Sequence, residues 1–82
     1  MILTAEITMY PFHEDYIPPI QAIIEKLNSY PHLKVKTFPT ATILVAEYEH
    51  VMHAISDAIR WSYEEYGKAV FIVKFIPDLE PF

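Results

Sequence analysis

Six residues in two short segments have the types needed to hold a flat polar molecule. Glu6, Thr8 and Tyr10 recur at every second position near the amino end, and Thr37, Thr40 and Thr42 bracket the turn Phe38-Pro39. Hydroxyls can serve ring nitrogens, a carboxylate can accept from an amino group, and aromatic rings can stack. On adjacent strands these groups would make a patch that orients a polar heterocycle. The competing account is that threonines are common in strands and simply face water. Glu6 weighs against it, because a lone carboxylate in a central strand is costly to cover unless something donates to it.

Other chemistry is weaker. His50 and His53 stand one helical turn apart with Asp57 four residues on, a spacing that can bind a divalent metal. All three fall on the face opposite the apolar stripe of their helix, so a polar helix face is the better reading. His13-Glu14-Asp15 is a polar loop in which Asp15 is expected to help a helix start. Ser29, Ser56 and Ser62 lie on or at the ends of helices, without a Gly-x-Ser-x-Gly elbow. Trp61 reads as the edge of a core. No nucleophile–base pair is visible, and an enzyme is not expected.

The elements that must position the six residues follow from periodicity. Ile2 to Tyr10 alternates, with Leu3, Ala5, Ile7 and Met9 on one side, and Pro11 stops it. Pro18 and Pro19 suit the first turn of a helix that carries Ile17, Ile20, Ile23, Ile24 and Leu27 on one arc and closes at Tyr30-Pro31. Leu33 to Phe38 and Thr40 to Glu47 read as strands on either side of a turn. Glu49 to Tyr66 is a second helix with Val51, Ile55, Ala58, Ile59 and Ser62 inward, and Gly67 is read as its left-handed C′ residue. Ala69 to Ile76 is a nearly continuous apolar strand ended by Pro77. The order β-α-β-β-α-β is the split-βαβ, ferredoxin-like arrangement of an α+β fold. Two right-handed crossovers give a four-stranded antiparallel sheet of order 4-1-3-2 with both helices on one face. The other face is expected to carry Thr4, Glu6, Thr8, Tyr10, Thr40, Thr42 and Leu44.

Composition bounds the function. The chain of 82 residues, read as one domain over 1–82, is 52% apolar, with no Cys, one Gly and one Arg (Arg60). Without Cys there is no disulfide, thiol nucleophile or Cys-based metal centre. One glycine cannot build a Gly-rich phosphate loop. A net charge of −5 argues against nucleic acid and against an anionic membrane surface as partners. No apolar run reaches the ~20 residues of a membrane span, and the amino end lacks a basic leader segment, so a cytoplasmic location is the expectation. The apolar excess in so small a domain points to a surface covered by another subunit.

Two blocks carry a family likeness. Glu6-Ile7-Thr8-Met9-Tyr10-Pro11 resembles the E-x-S/T-x-Y-P opening of the thiamine-binding, YkoF-like family. Thr37-Phe38-Pro39-Thr40-Ala41-Thr42-Ile43, followed by Glu47 and Val51-Met52, resembles its second block. The likeness spans nearly the whole chain. It implies a ferredoxin-like fold, assembly as a homo-dimer or tetramer, and binding of thiamine or its hydroxymethylpyrimidine moiety as ligand, with no cofactor and no known catalysis. It implies ligand-binding roles for Glu6, Thr8, Tyr10, Thr40 and Thr42, with Thr37 beside them. An aminopyrimidine offers an amino group beside a ring nitrogen, which a carboxylate can pair with when that nitrogen is protonated. The alternative is a structural or regulatory interaction module of the same fold without a small-molecule ligand.

Overall fold

Apolar side chains at positions 3, 5, 7 and 9 make one side of the longest strand. The computed structural model describes residues 1–82, in the order β1 (Ile2–Pro11), α1 (Ile17–Asn28), β2 (Lys34–Thr37), β3 (Thr42–Glu47), α2 (Tyr48–Tyr66) and β4 (Ala69–Pro77). The strands form one antiparallel sheet of order β2-β3-β1-β4, which is the ferredoxin-like α+β fold with strands one and three side by side. Leu3, Ala5, Ile7 and Met9 are buried against Ile23 and Leu27 of α1 and Val51, Ile55 and Ala58 of α2. Both helices therefore cover the same face. Neither is long and apolar enough to cross a membrane.

The helix ends depart from the reading in two places. Asp15 does not cap α1: the N-cap is Tyr16 without a side-chain bond, and prolines fill the first turn. Their missing N–H groups remove donors that would otherwise need partners, so no cap is required. At the end of α2, Gly67 has φ +82° but ψ −151°. The chain leaves the helix extended instead of through the left-handed helical turn, a backbone only glycine adopts easily.

The main correction concerns β3. Ile7 pairs with Thr42, Ala5 with Leu44 and Leu3 with Ala46, so Thr42 and Leu44 lie on the helix-covered face, not the uncovered one. Thr42 and Leu44 are correspondingly buried. Ile43 and Val45 take the uncovered face, opposite Glu6 and Thr4. The reason is that Thr42-Ile43-Leu44-Val45-Ala46 is apolar at alternate positions in both phases, so alternation cannot select one.

The uncovered face is also less bare than its name. Beyond β4 the chain turns at Asp78, whose φ is +61°, and crosses back over the sheet. Asp78 N–H donates to Ile2 C=O at 2.9 Å, and the Thr4 hydroxyl donates to Leu79 C=O at 2.6 Å. Lys34 reaches Glu80 at 3.3 Å, and the Lys36 ammonium lies 4.7 Å from the Phe82 ring centre. Under this strap Thr4 and Val45 are buried.

Candidate functional site

β1 outruns its neighbour. Its pairing with β3 ends at Ile7–Thr42, whereas its pairing with β4 continues to Pro11–Ala69. Beside residues 8–11 the sheet therefore has a gap where a third strand would lie. The turn 38–41 curls around this gap, and α1 roofs it. The result is a cleft of about 560 Å³ between α1, the end of β1 and the β2–β3 turn, within the size range of small-molecule sites.

The hydrogen-bond phase of β1 fixes what lines the gap. Phe12 N–H bonds Lys68 C=O on the β4 side, and Met1 C=O accepts from Tyr48 N–H on the other. In an unbroken antiparallel ladder these directions alternate, so odd residues of β1 turn their peptide groups toward β3. For Met9 the position opposite belongs to Thr40, which lies in the turn and forms no ladder bond. The Met9 N–H and C=O thus meet the cleft side by side, as a donor and an acceptor without a backbone partner.

Side chains complete the walls. Thr8, Tyr10, Thr37, Thr40 and Thr42 all line the cleft, as do Tyr16, Ile20 and Phe38. The Thr37 and Thr42 hydroxyl oxygens are 3.3 Å apart, and Thr42 is only 5% exposed. The Thr8 hydroxyl donates to Thr40 C=O at 3.0 Å and so ties the turn to β1. Tyr10 is 55% exposed at the rim. Five of the six expected residues are brought together, but around the end of the sheet, not across its uncovered face.

Glu6 is the exception. It lies on the uncovered face, outside the cleft, opposite Ile43 and Lys74, with its carboxylate 3.9 Å from the Lys74 ammonium. The lysine is the charged neighbour of this mid-strand carboxylate within the chain. Two further polar residues line the cleft without having been expected there: His13, read only as part of a polar loop, and Tyr16. The His13 Nε2–H donates to Tyr66 C=O, which joins the loop before α1 to the end of α2. A polar loop between Pro11 and Pro18 carried no periodicity that could have placed either residue.

The polar groups of α2 do not converge on a metal-like centre. His50 stacks on His32 with ring centres 4.7 Å apart, and His53 meets Tyr30 edge-on at 6.0 Å. Asp57 accepts from the Tyr30 hydroxyl at 2.5 Å. That bond holds the Asp57 carboxyl below its ordinary range, helped by the charges of Lys26, His53 and Arg60 against the opposing effect of desolvation. Desolvation, then the same bond, pushes the Tyr30 hydroxyl up.

Comparison with known proteins places the fold. No family model matches the chain, and no curated protein does. Among solved structures, the chain is similar to a Thermotoga maritima protein provisionally described as a thiamine biosynthesis/salvage protein, with a TM-score of 0.83 and 23% identity over 92% of this chain and 82% of that one. A Streptococcus pneumoniae protein gives a TM-score of 0.85 at 19% identity, covering 93% and 86% of the two chains. A hypothetical protein of Methanocaldococcus jannascii gives 0.81 at 21% identity, covering 99% and 87%.

Proposed function

We propose that this protein is a non-enzymatic, cytoplasmic binder of thiamine or its hydroxymethylpyrimidine moiety, assembled as a homo-oligomer, with the ligand in the α1–β1 cleft. The observation that carries the reading is the interrupted ladder at Met9. An aminopyrimidine edge presents an acceptor nitrogen beside an amino donor, and a peptide N–H and C=O pointing the same way form its complement. The pair is not stretched across a pleat, so a planar ring can address both groups. Tyr10, Tyr16 and Phe38 supply aromatic surface for that ring, and the Thr37–Thr42 hydroxyl pair supplies a polar end. The thiamine-related description of one structural neighbour and the two sequence blocks support the same ligand class. Glu6 has no part in this version of the site.

Calorimetry with thiamine and with hydroxymethylpyrimidine tests it. Heat of binding is expected for at least one of them. Thr42→Val should weaken affinity by about 5- to 10-fold, the worth of one buried hydrogen bond of ~1 kcal/mol. Glu6→Gln should leave affinity within about twofold, since its carboxylate is already near a lysine and an exposed pair contributes little. Absence of heat with folded protein at saturating ligand would reject the reading. The remaining alternative would be the ligand-free interaction module, which the exposed apolar side chains of β4 also suit.

A further inference from the structure

The cleft exists because β3 stops short of β1, and the turn that precedes it shows why. Phe38 N–H donates to Ala41 C=O at 2.8 Å, and Ala41 N–H donates back to Phe38 C=O at 3.4 Å. These bonds close a hairpin whose loop is only Pro39-Thr40. Two-residue loops that keep the twist of their strands are of types I′ and II′, and both need a positive φ at the first loop residue. Proline is locked near −65°, and the positive φ values of this chain belong to His32, Gly67 and Asp78. The loop is therefore of the unprimed kind, which splays its strands. Thr40 leaves the line of β3 as a result. The register that pairs Ile7 with Thr42 would pair Met9 with Thr40, each exchanging an N–H and a C=O with the other. Instead, Thr40 C=O accepts from the Thr8 hydroxyl at 3.0 Å. The acceptor that would satisfy Met9 N–H is held by the neighbouring side chain.

We propose that Pro39 is a positioning residue of the cleft: by denying the β2–β3 hairpin a primed turn, it keeps Thr40 out of the ladder and the Met9 peptide groups free for a ligand. The Thr8 hydroxyl secures the displaced tip. The opposite arrangement lies in the same register. With a primed turn, Thr40 would take its place beside Met9, the β1–β3 ladder would run two residues further, and the chain's own backbone would occupy the donor and acceptor that the ligand needs. The protein therefore forgoes two ladder bonds and a twist-matched turn at one spot in its sheet. A local rule broken there, with the rest of the sheet regular, is the pattern expected of a functional site. Pro39 acts through Thr40 on Met9, so its effect is read at the Met9 amide.

This inference rests on the proposed function for its ligand, but its first readout needs none. Hydrogen exchange in the unaltered, ligand-free chain should find the Met9 amide fast beside a protected Ile7 amide, whose pair with Thr42 is the last of the ladder. A protected Met9 amide overturns the inference. Pro39→Gly permits a type II′ turn, which takes glycine at its first loop position, and leaves Thr40 in place. It should slow exchange at Met9 by about 30-fold, the worth of two ladder bonds. The Kd for thiamine or hydroxymethylpyrimidine should rise by a similar factor, because only the open fraction binds. Pro39→Ala lacks glycine's freedom at positive φ and should leave Met9 exchanging as in the unaltered chain, which separates turn type from loss of the ring. A Pro39→Gly chain that is folded by circular dichroism, yet whose Met9 amide still exchanges freely, overturns the inference. Should that variant fail to fold, Thr8→Val decides: releasing Thr40 C=O should slow Met9 exchange about fivefold, and no change overturns the inference. If Met9 behaves as expected while neither ligand binds the unaltered chain, the role of Pro39 in shaping the tip stands and the ligand reading falls.

Discussion

Two hydroxyl-bearing residues illustrate how differently one side-chain type is used. Ser62 sits on the inward stripe of α2, 1% exposed, and its hydroxyl has no hydrogen-bond partner. An unpaired buried hydroxyl costs about 1–3 kcal/mol, and alanine is the better helix former by ~0.5 kcal/mol. Ser62→Ala should therefore stabilise the fold by roughly 1.5–3.5 kcal/mol, read as a higher urea midpoint at unchanged slope. Thr42 is nearly as buried but has the Thr37 hydroxyl beside it, and it meets a cleft where a ligand could use it. Helical spacing alone placed Ser62 inside. It said nothing of whether the hydroxyl finds a partner, which depends on atoms contributed by other elements. Thr42 was legible as a candidate by type, while its face of the sheet was not. Glu6 was legible as a carboxylate in need of a partner. That the partner is Lys74 follows only from the β1–β4 register.

At the scale of elements, the two helices are tied by a polar bridge as well as by the core. Tyr30, just past α1, donates to Asp57 of α2, and the Lys26 ammonium lies 5.4 Å from the Tyr30 ring centre and 5.5 Å from that of Trp61. The bridge makes stability depend on pH at both extremes. Asp57 has a depressed carboxyl in the fold, so its contribution is present above the ordinary carboxylate value of 3.8 and is lost as pH falls through the lower folded value. Tyr30 has a raised hydroxyl, so its contribution is full below its ordinary value of 10.0 and is lost as pH rises beyond it. Tyr30→Phe should flatten both limbs of a melting-temperature profile. Asp57→Asn should flatten the acid limb and shrink the alkaline one. A wild-type profile superimposable on both variants would show that the bridge does not form in solution. The same scale shows what the sequence could convey about elements. β1 was read in the correct phase because Leu, Ala, Ile and Met alternate with Thr, Glu, Thr and Tyr. β3 has no such contrast, and its phase is set by where β1 and the β2–β3 turn lock it. The gap that makes the cleft is likewise a mismatch of strand lengths, a property of two elements together that no single periodicity contains.

The whole molecule divides along β1 into two ends with different tasks. One end, residues 8–11, lacks a β3 neighbour and opens the cleft. The other, residues 2–4, is closed by the strap after β4, and nothing in the composition of Pro77-Asp78-Leu79-Glu80-Pro81-Phe82 announced that it would fold back over the sheet. The positive φ of Asp78 turns the chain, and two bonds hold it, from Asp78 to Ile2 and from Thr4 to Leu79. The Lys34–Glu80 pair is exposed on both sides and adds little. Removing residues 78–82 would cut both backbone-anchored bonds and uncover Thr4 and Val45. At ~1 kcal/mol per bond, with some apolar area returned to water, the loss is roughly 2–3 kcal/mol. For a domain of this size that lowers the melting temperature by on the order of 10 °C. The cleft lies at the far end of β1 and shares no residue with the strap, so calorimetry on the truncated, folded chain should return the affinity of the full one. A truncation that leaves the melting temperature in place would mean the strap is undocked in solution. One that abolishes binding while the fold persists would mean the two ends of β1 are coupled, and the cleft would then have to be sought as a property of the whole sheet instead of a local break in its ladder.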